Sequence, residues 1–142
     1  KRMVATDYSE GMIREAQKGK CVDNLIFEVA DATDLPYENH SFDVVLIANA
    51  LHIMPEPEKA LKEIERVLKE DGLLIAPNFV SHQSGIISCL WSGILRIAGI
   101  TFEHQWSGEE YLFWLGQNGW KVQYKKSCPA RITLMYVECI RE

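Results

Sequence analysis

The sequence lacks most of the marks that would place it in a specialised class. Its cysteines, Cys21, Cys89, Cys128 and Cys139, are scattered, with no CxxC pair and no histidine at metal-ligand spacing. That argues against a zinc site and a disulfide framework, and no bound metal is expected; the setting expected is reducing and cytoplasmic. The opening residues KRMVATDYSE carry neither a signal-peptide apolar region nor an Arg-rich amphipathic pattern. The one long apolar run is interrupted by a charge, so no transmembrane segment is expected. Positive charge is also short: 15 Lys and Arg stand against 20 Asp and Glu, a net charge of −5, with the two signs interspersed. No face suited to a phosphate backbone follows from this, and nucleic acid is not an expected substrate. There is no internal repeat and no low-complexity linker.

What is present fits one core. A chain of 142 residues, 47% of them hydrophobic, makes a single globular domain. From Met3 to Ala76 short apolar runs alternate with helical patterns, the signature of an α/β fold with a parallel sheet and crossover helices. Met3 to Thr6 reads as a strand ending at Asp7; Ser9 then caps a helix that places Met12, Ile13 and Ala16 on one face. Leu25 to Ala30 is a second strand. Phe42 to Ala48 is nearly all apolar, which predicts a central strand covered on both faces.

Pro57 suits the first turn of the next helix, with Leu61, Ile64, Val67 and Leu68 inward and Gly72 as its stop. Glu58 with Lys62 and Glu65 with Lys69 are spaced as i,i+4 pairs on its solvated face. Leu73 to Ala76 forms another buried strand, ended by Pro77. Ser107 and Glu110 make a capping box opening a helix to about Gln117, closed by Asn118 and Gly119. Trp120 to Tyr124 and Ile132 to Cys139 are predicted as an antiparallel pair at one sheet edge, with Ser127, Cys128 and Pro129 in the turn.

In open α/β sheets ligands bind outside the carboxyl ends of the strands, which here selects Asp7, Asp31, Asn49 to His52, and Asn78. A carboxylate at Asp7 is placed to accept hydrogen bonds from both hydroxyls of an adenosine ribose; an aspartate at a helix start is equally often a cap. Asp31 could pair with an adenine amino group while the Ala32 N–H meets a ring nitrogen and Met12 packs on the ring.

The segments TDYSEGMIREAQK and VADATDLPYENHSFDVVLIANALHIMPEPEKALKEIERVLKEDGLLI resemble consecutive motifs of the class I S-adenosylmethionine-dependent methyltransferases, in particular those that methylate small molecules. The D-A-x-x-L-P followed by S-F-D is specific in combination, and the resemblance covers Met3 to Phe79. It implies a Rossmann-like, mostly parallel sheet with helices on both faces and a C-terminal antiparallel hairpin. It also implies S-adenosylmethionine as cofactor, with Asp7 at the ribose, Tyr8 among the cofactor-binding residues, Met12 on the adenine face, Asp31 and Ala32 at its edge, and Asn49 and Ala50 at the methionine portion. The family opens with a strand ending in a glycine-rich loop (E/D-x-G-x-G-x-G), and no such segment precedes Lys1; Gly11 and Gly19 lie beyond the first strand here. The family places that strand between the ones ending at Asp7 and Ala48. Two open strand edges are therefore expected, and with them a partial domain of residues 1–142: a fragment of a longer protein, or one completed by another chain, as in a homodimer.

His52 falls in the segment the family places near the sulfonium, and its ordinary pKa suits a general base near neutrality; a histidine there can equally cap or pack the next helix. Residues 85–106 open with GIISCLWSGILRIAG, an apolar helical pattern with little polar face. In the resembling family this insertion shapes the acceptor site, so Trp91, His104 and Trp106 are expected to line an aromatic pocket for a small, partly apolar acceptor such as a quinone precursor, lipid or secondary metabolite. A plain core helix, a membrane-surface helix and a dimer interface are the other readings of the segment. Two other function classes stand beside the methyltransferase. An NAD-dependent dehydrogenase also places an acid after its second strand but leaves Asp31 to Pro36 and the final hairpin unexplained. A non-catalytic or truncated domain would act in dimerisation or partner binding.

Overall fold

A short helix laid across two parallel strands opens the chain. In the computed structural model, which describes residues 2–19, 22–81 and 104–142, β1 (Met3–Asp7) and β2 (Leu25–Val29) pair in register from Met3 opposite Leu25 to Asp7 opposite Val29, with α1 (Glu10–Gln17) between them in sequence. Ser9 caps α1 by accepting from the Met12 N–H. The helix buries only Ile13; Met12 is 59% exposed, so the expected three-residue inner face narrows to one. Among the described elements α1 packs mainly on β1 and β2.

The larger sheet has the order β3 (Phe42–Leu46), β4 (Leu68–Ile75), β7 (Thr133–Arg141), β5 (Asn78–Val80), and β6 (Trp120–Cys128) also pairs with β7. β3 and β4 are parallel; β7 runs antiparallel to β4, β5 and β6. The hairpin expected at the sheet edge is present but longer, with Ser127 and Cys128 inside β6, and its second strand is interior: Cys139 opposes Leu74 of β4 and Met135 opposes Asn78 of β5. The whole is a mixed α/β fold. β3 departs from expectation, since Val44 and Leu46 are 48% and 63% exposed. Its only hydrogen-bonded neighbour among the described strands is β4, as β2 is for β1, so the two edges expected to be open are β1 and β3.

The helix after Pro57 is shorter than its sequence pattern. α2 (Pro57–Val67) ends where Leu68 takes extended angles, and the chain enters β4 with no intervening loop. Gly72 is therefore not a helix stop. It sits in the bulge between the Phe42–Leu68 and Val44–Leu73 pairings, where an added Cβ would come within 2.5 Å of Leu68 Cγ. With Lys69 in the strand, the expected Glu65 pairing cannot form, and Lys69 meets Asp43 across the sheet instead. The other pairs on α2 are Lys59 with Glu56 and Arg66 with Glu63, while Glu58 accepts from the Trp114 indole N–H at 3.0 Å.

Ala60, Leu61 and Ile64 of α2 face a single core with Leu68, Leu74, Ala76, Val137 and Cys139. α3 (Gly108–Gln117) adds Tyr111 and Leu115, and Trp120 closes the cluster. Ser107 and Glu110 form the predicted capping box, and Gly119 takes φ 81° just past the helix end, as a non-glycine residue rarely does. The Tyr111 hydroxyl donates to the Ala76 carbonyl at 2.9 Å inside this core. The two sheets are tied by residues 31–41: Tyr37 donates to Glu28 of β2 and packs edge-on against Phe42 of β3, and Arg66 of α2 donates to the carbonyls of Leu35 and Tyr37.

Candidate functional site

Two carboxylates project from neighbouring strand ends. Asp7, the last residue of β1, accepts the Ser9 N–H on Oδ1 at 2.8 Å. Asp31 follows β2 and accepts the Thr33 N–H at 2.8 Å and hydroxyl at 2.7 Å, also on Oδ1. The Thr33 backbone bond, then its hydroxyl, holds the Asp31 carboxyl below the usual range. Because Asp7 lies opposite Val29 and the Ala30 N–H donates to the Asp7 carbonyl, both residues lie at the carboxyl end of this strand pair. Both are exposed. Tyr8 and Met12 beside them are 78% and 59% exposed, and Ala32 is half-buried. The sequence placed all of these residues correctly at strand ends or at the helix start.

The end of β3 is built differently. Asn49 has φ 52°, a left-handed backbone that asparagine tolerates better than most residues. Its N–H donates to the Pro77 carbonyl at 2.8 Å, and its side-chain Oδ1 is buried without a hydrogen-bond partner. Ala50 precedes a short 3-10 turn, Leu51–Ile53, that carries His52 inward to 4% exposure. His52 Nδ1 lies 2.7 Å from Asn78 Oδ1, and its ring meets Phe79 edge-on at 5.8 Å. Burial pushes the His52 pKa down and outweighs the opposite pull of the Asn78 bond, so the ring is neutral near pH 7. Asn78 stood at a strand end in the sequence without a role; the nearby Pro77 was its only signal.

The His52 carbonyl accepts the His104 N–H at 3.0 Å, which brings the third segment to this point. His104 stacks on Trp106 at 5.0 Å and 6°, and Trp106 stacks on Trp114 of α3 at 4.5 Å and 29°. Two of the three residues expected to form an aromatic pocket are thus together; Trp91 lies outside the described residues. Sequence reasoning missed Trp114, three positions after the buried Tyr111. His104 Nε2 is buried without a partner, as Asn49 Oδ1 is. A separate cavity of about 440 Å³ lies between β5, the start of α3 and the hairpin, lined in part by Val80, Ser107, Lys125 and Met135, and includes none of the residues above. Among the described residues no group of His, Cys, Asp and Glu is arranged to hold a metal ion.

The family model described as a methyltransferase domain matches residues 1–76, which contain Asp7, Asp31, Asn49 and His52. The demethylmenaquinone methyltransferase of Clavibacter sepedonicus is 42% identical over 78 residues, 54% of this chain and 32% of that protein. The ubiquinone/menaquinone biosynthesis C-methyltransferase UbiE of Rickettsia prowazekii is 37% identical over 90 residues, 60% of this chain and 36% of that protein. The match thus spans about a third of the length of these curated relatives. A SAM-dependent methyltransferase of Methanosarcina mazei superposes with a TM-score of 0.77 over 98% of this chain and 82% of that one, at 18% identity. The YcgJ protein of Bacillus subtilis does so with a TM-score of 0.75 over 99% and 83%, at 17% identity. At those identities the two structures attest the fold. With the fold and the family match in agreement, the chain belongs to the class I S-adenosylmethionine-dependent methyltransferases.

Proposed function

We propose that the protein transfers a methyl group from S-adenosylmethionine to a small, partly apolar acceptor. The observation that carries this reading is the pair of carboxylates, Asp7 and Asp31, at the carboxyl ends of β1 and β2. Both present acceptor atoms, which match a ribose diol and an exocyclic amine, both donors. The exposed Tyr8 and Met12 offer flat and apolar surface to a purine, and Ala32 offers a backbone N–H. Asn49 Oδ1 is buried without a donor, which suits an ammonium group, and Ala50 adjoins it. These residues would hold the cofactor. When bound it would supply an electrophilic methyl carbon on a sulfonium, which these residues would hold in line with a nucleophilic atom of the acceptor.

His52 is assigned the proton that a protonated acceptor must lose, because its burial keeps the imidazole neutral and able to receive it. The stacked His104 and Trp106 are assigned, with Trp91, to the acceptor. Their flat apolar faces suit a ring substrate, and the relatives named for demethylmenaquinone and for ubiquinone and menaquinone favour a quinone precursor. Residues 85–106 would cover that acceptor within a single methyltransferase domain. A cytoplasmic enzyme, and a homodimer, complete the proposal.

Calorimetric titration of S-adenosylhomocysteine into the full-length protein tests it. Binding is expected, weakened roughly tenfold or more by Asp7→Ala and by Asp31→Ala, each of which removes hydrogen bonds to a neutral ligand. No binding by the wild type would sink the enzyme reading and favour a partner-binding domain, and binding of reduced nicotinamide in its place would favour a dehydrogenase.

A further inference from the structure

Asn78 is a fully buried amide at the first position of β5, immediately after Pro77. Burying an amide is unfavourable unless its donors and acceptor are engaged. Its Oδ1 is engaged by His52 Nδ1 at 2.7 Å, and its Nδ2 donates to the Phe79 carbonyl at 3.4 Å. The second contact decides the first. Rotating the amide by half a turn would set Oδ1 against the Phe79 carbonyl oxygen, two acceptors facing each other, so the amide is held with oxygen toward the histidine. An oxygen there requires a proton on His52 Nδ1. The acceptor role in the neutral ring then passes to Nε2.

We infer that Asn78 is a positioning residue, one that fixes the tautomer and orientation of His52 so that Nε2 is the nitrogen able to take a proton. The restraint is rigid at both ends. Asn78 is paired with Met135 of β7 inside the larger sheet, while His52 is held in its 3-10 turn by the Phe79 ring on one side and by the His104 N–H on its carbonyl. A carboxylate in the same place would stabilise the imidazolium and keep the ring protonated at higher pH, whereas an amide orients without adding charge. The pairing is therefore suited to a base that begins each cycle neutral. It rests on the proposed methyl transfer only for what Nε2 does; the tautomer itself is a property of the protein without cofactor.

The test is long-range proton–nitrogen correlation NMR on full-length protein labelled at histidine. The wild type is expected to show His52 protonated at Nδ1 and bare at Nε2 near pH 7. Asn78→Leu, which removes the acceptor but fills the space, is expected to move the ring to the Nε2-protonated form or to a mixture. Asn78→Asp is expected to keep Nδ1 protonated. In turnover, Asn78→Leu is expected to lower kcat by about tenfold or more, the range of general-base contributions, with KM for the acceptor little changed. A wild-type ring protonated at Nε2, or an Asn78→Leu ring with an unchanged tautomer, overturns the inference; if Asn78→Leu does not fold, the wild-type and Asn78→Asp spectra decide it. Titration of S-adenosylhomocysteine into the same samples separates the two claims, because absent binding with an Nδ1-protonated ring would sink the methyltransferase reading and leave the positioning role intact.

Discussion

The unit β1–α1–β2 and the sheet from β3 to β7 are held together by different means. The larger sheet has a connected core from Ile47 to Cys139, built on both helices α2 and α3. The smaller unit contributes no buried residue to that core, and its own buried apolar residues in β1, α1 and the end of β2 are Ile13 and Ala30. It is joined to the rest through residues 31–41, by the Tyr37 and Arg66 hydrogen bonds. The residues assigned to the adenosine portion thus stand on thin support, while His52 and Asn78 are set in the packed part.

The comparison breaks if both regions prove equally cooperative. Leu115→Ala, at a fully buried position of α3, is expected to lower global stability by about 3 kcal/mol, and Ile13→Ala by under about 2 kcal/mol because its surroundings are open enough to relax. Urea unfolding of the two variants gives the answer, and equal losses would show one cooperative unit. Arg66→Met removes the donors to Leu35 and Tyr37, with an expected loss of about 1–2 kcal/mol. It should speed amide exchange in β1 and β2 and leave β7 unchanged; acceleration in β7 would contradict a loosely joined first unit.

A pH effect sharpens the contrast from the other side. Burial lowers the folded pKa of His52 below its ordinary 6.5, so the unfolded chain takes up the proton first. Its contribution to stability is complete above pH 6.5 and is lost as pH falls below that value, at no more than about 1.4 kcal/mol per pH unit. His52→Gln should flatten the dependence of urea midpoint on pH below 6.5; identical slopes would show that the histidine does not titrate with folding. The smallest expected effect compares caps. Ser107→Ala, which breaks a reciprocal box against the core, should lose about 1 kcal/mol, and Ser9→Ala, at an exposed helix start, less than that by thermal unfolding.

Patterns local in sequence were legible. The capping box of Ser107 and Glu110, the Ser9 N-cap, the carboxylates at the ends of β1 and β2, and the hairpin from Trp120 all follow from neighbours a few residues apart. What depended on distant pairing was not. The apolar run of β3 cannot reveal that Val44 and Leu46 lack cover, since that is set by which strand lies alongside. Gly72 carries the same local signal as a helix stop, and only its approach to Leu68 across a bulge distinguishes the two. The interior place of β7 is likewise a matter of partners. In the candidate site, Asp7, Asp31, Asn49 and His52 were recognisable by position, but the Asn78 contact spans 26 residues and has no motif.

The direct passage from α2 into β4 bears on how this chain can change in length. Val67 and Leu68 are 1% and 0% exposed, and the Leu68 carbonyl receives the Arg141 guanidinium at 2.7 Å. A residue inserted there would shift the register of β4 by one and turn its buried side chains outward, with no loop to absorb the slip. Descendants of this sequence should therefore gain and lose residues elsewhere, and a protein cut in two for reassembly would have to be divided on either side of this junction.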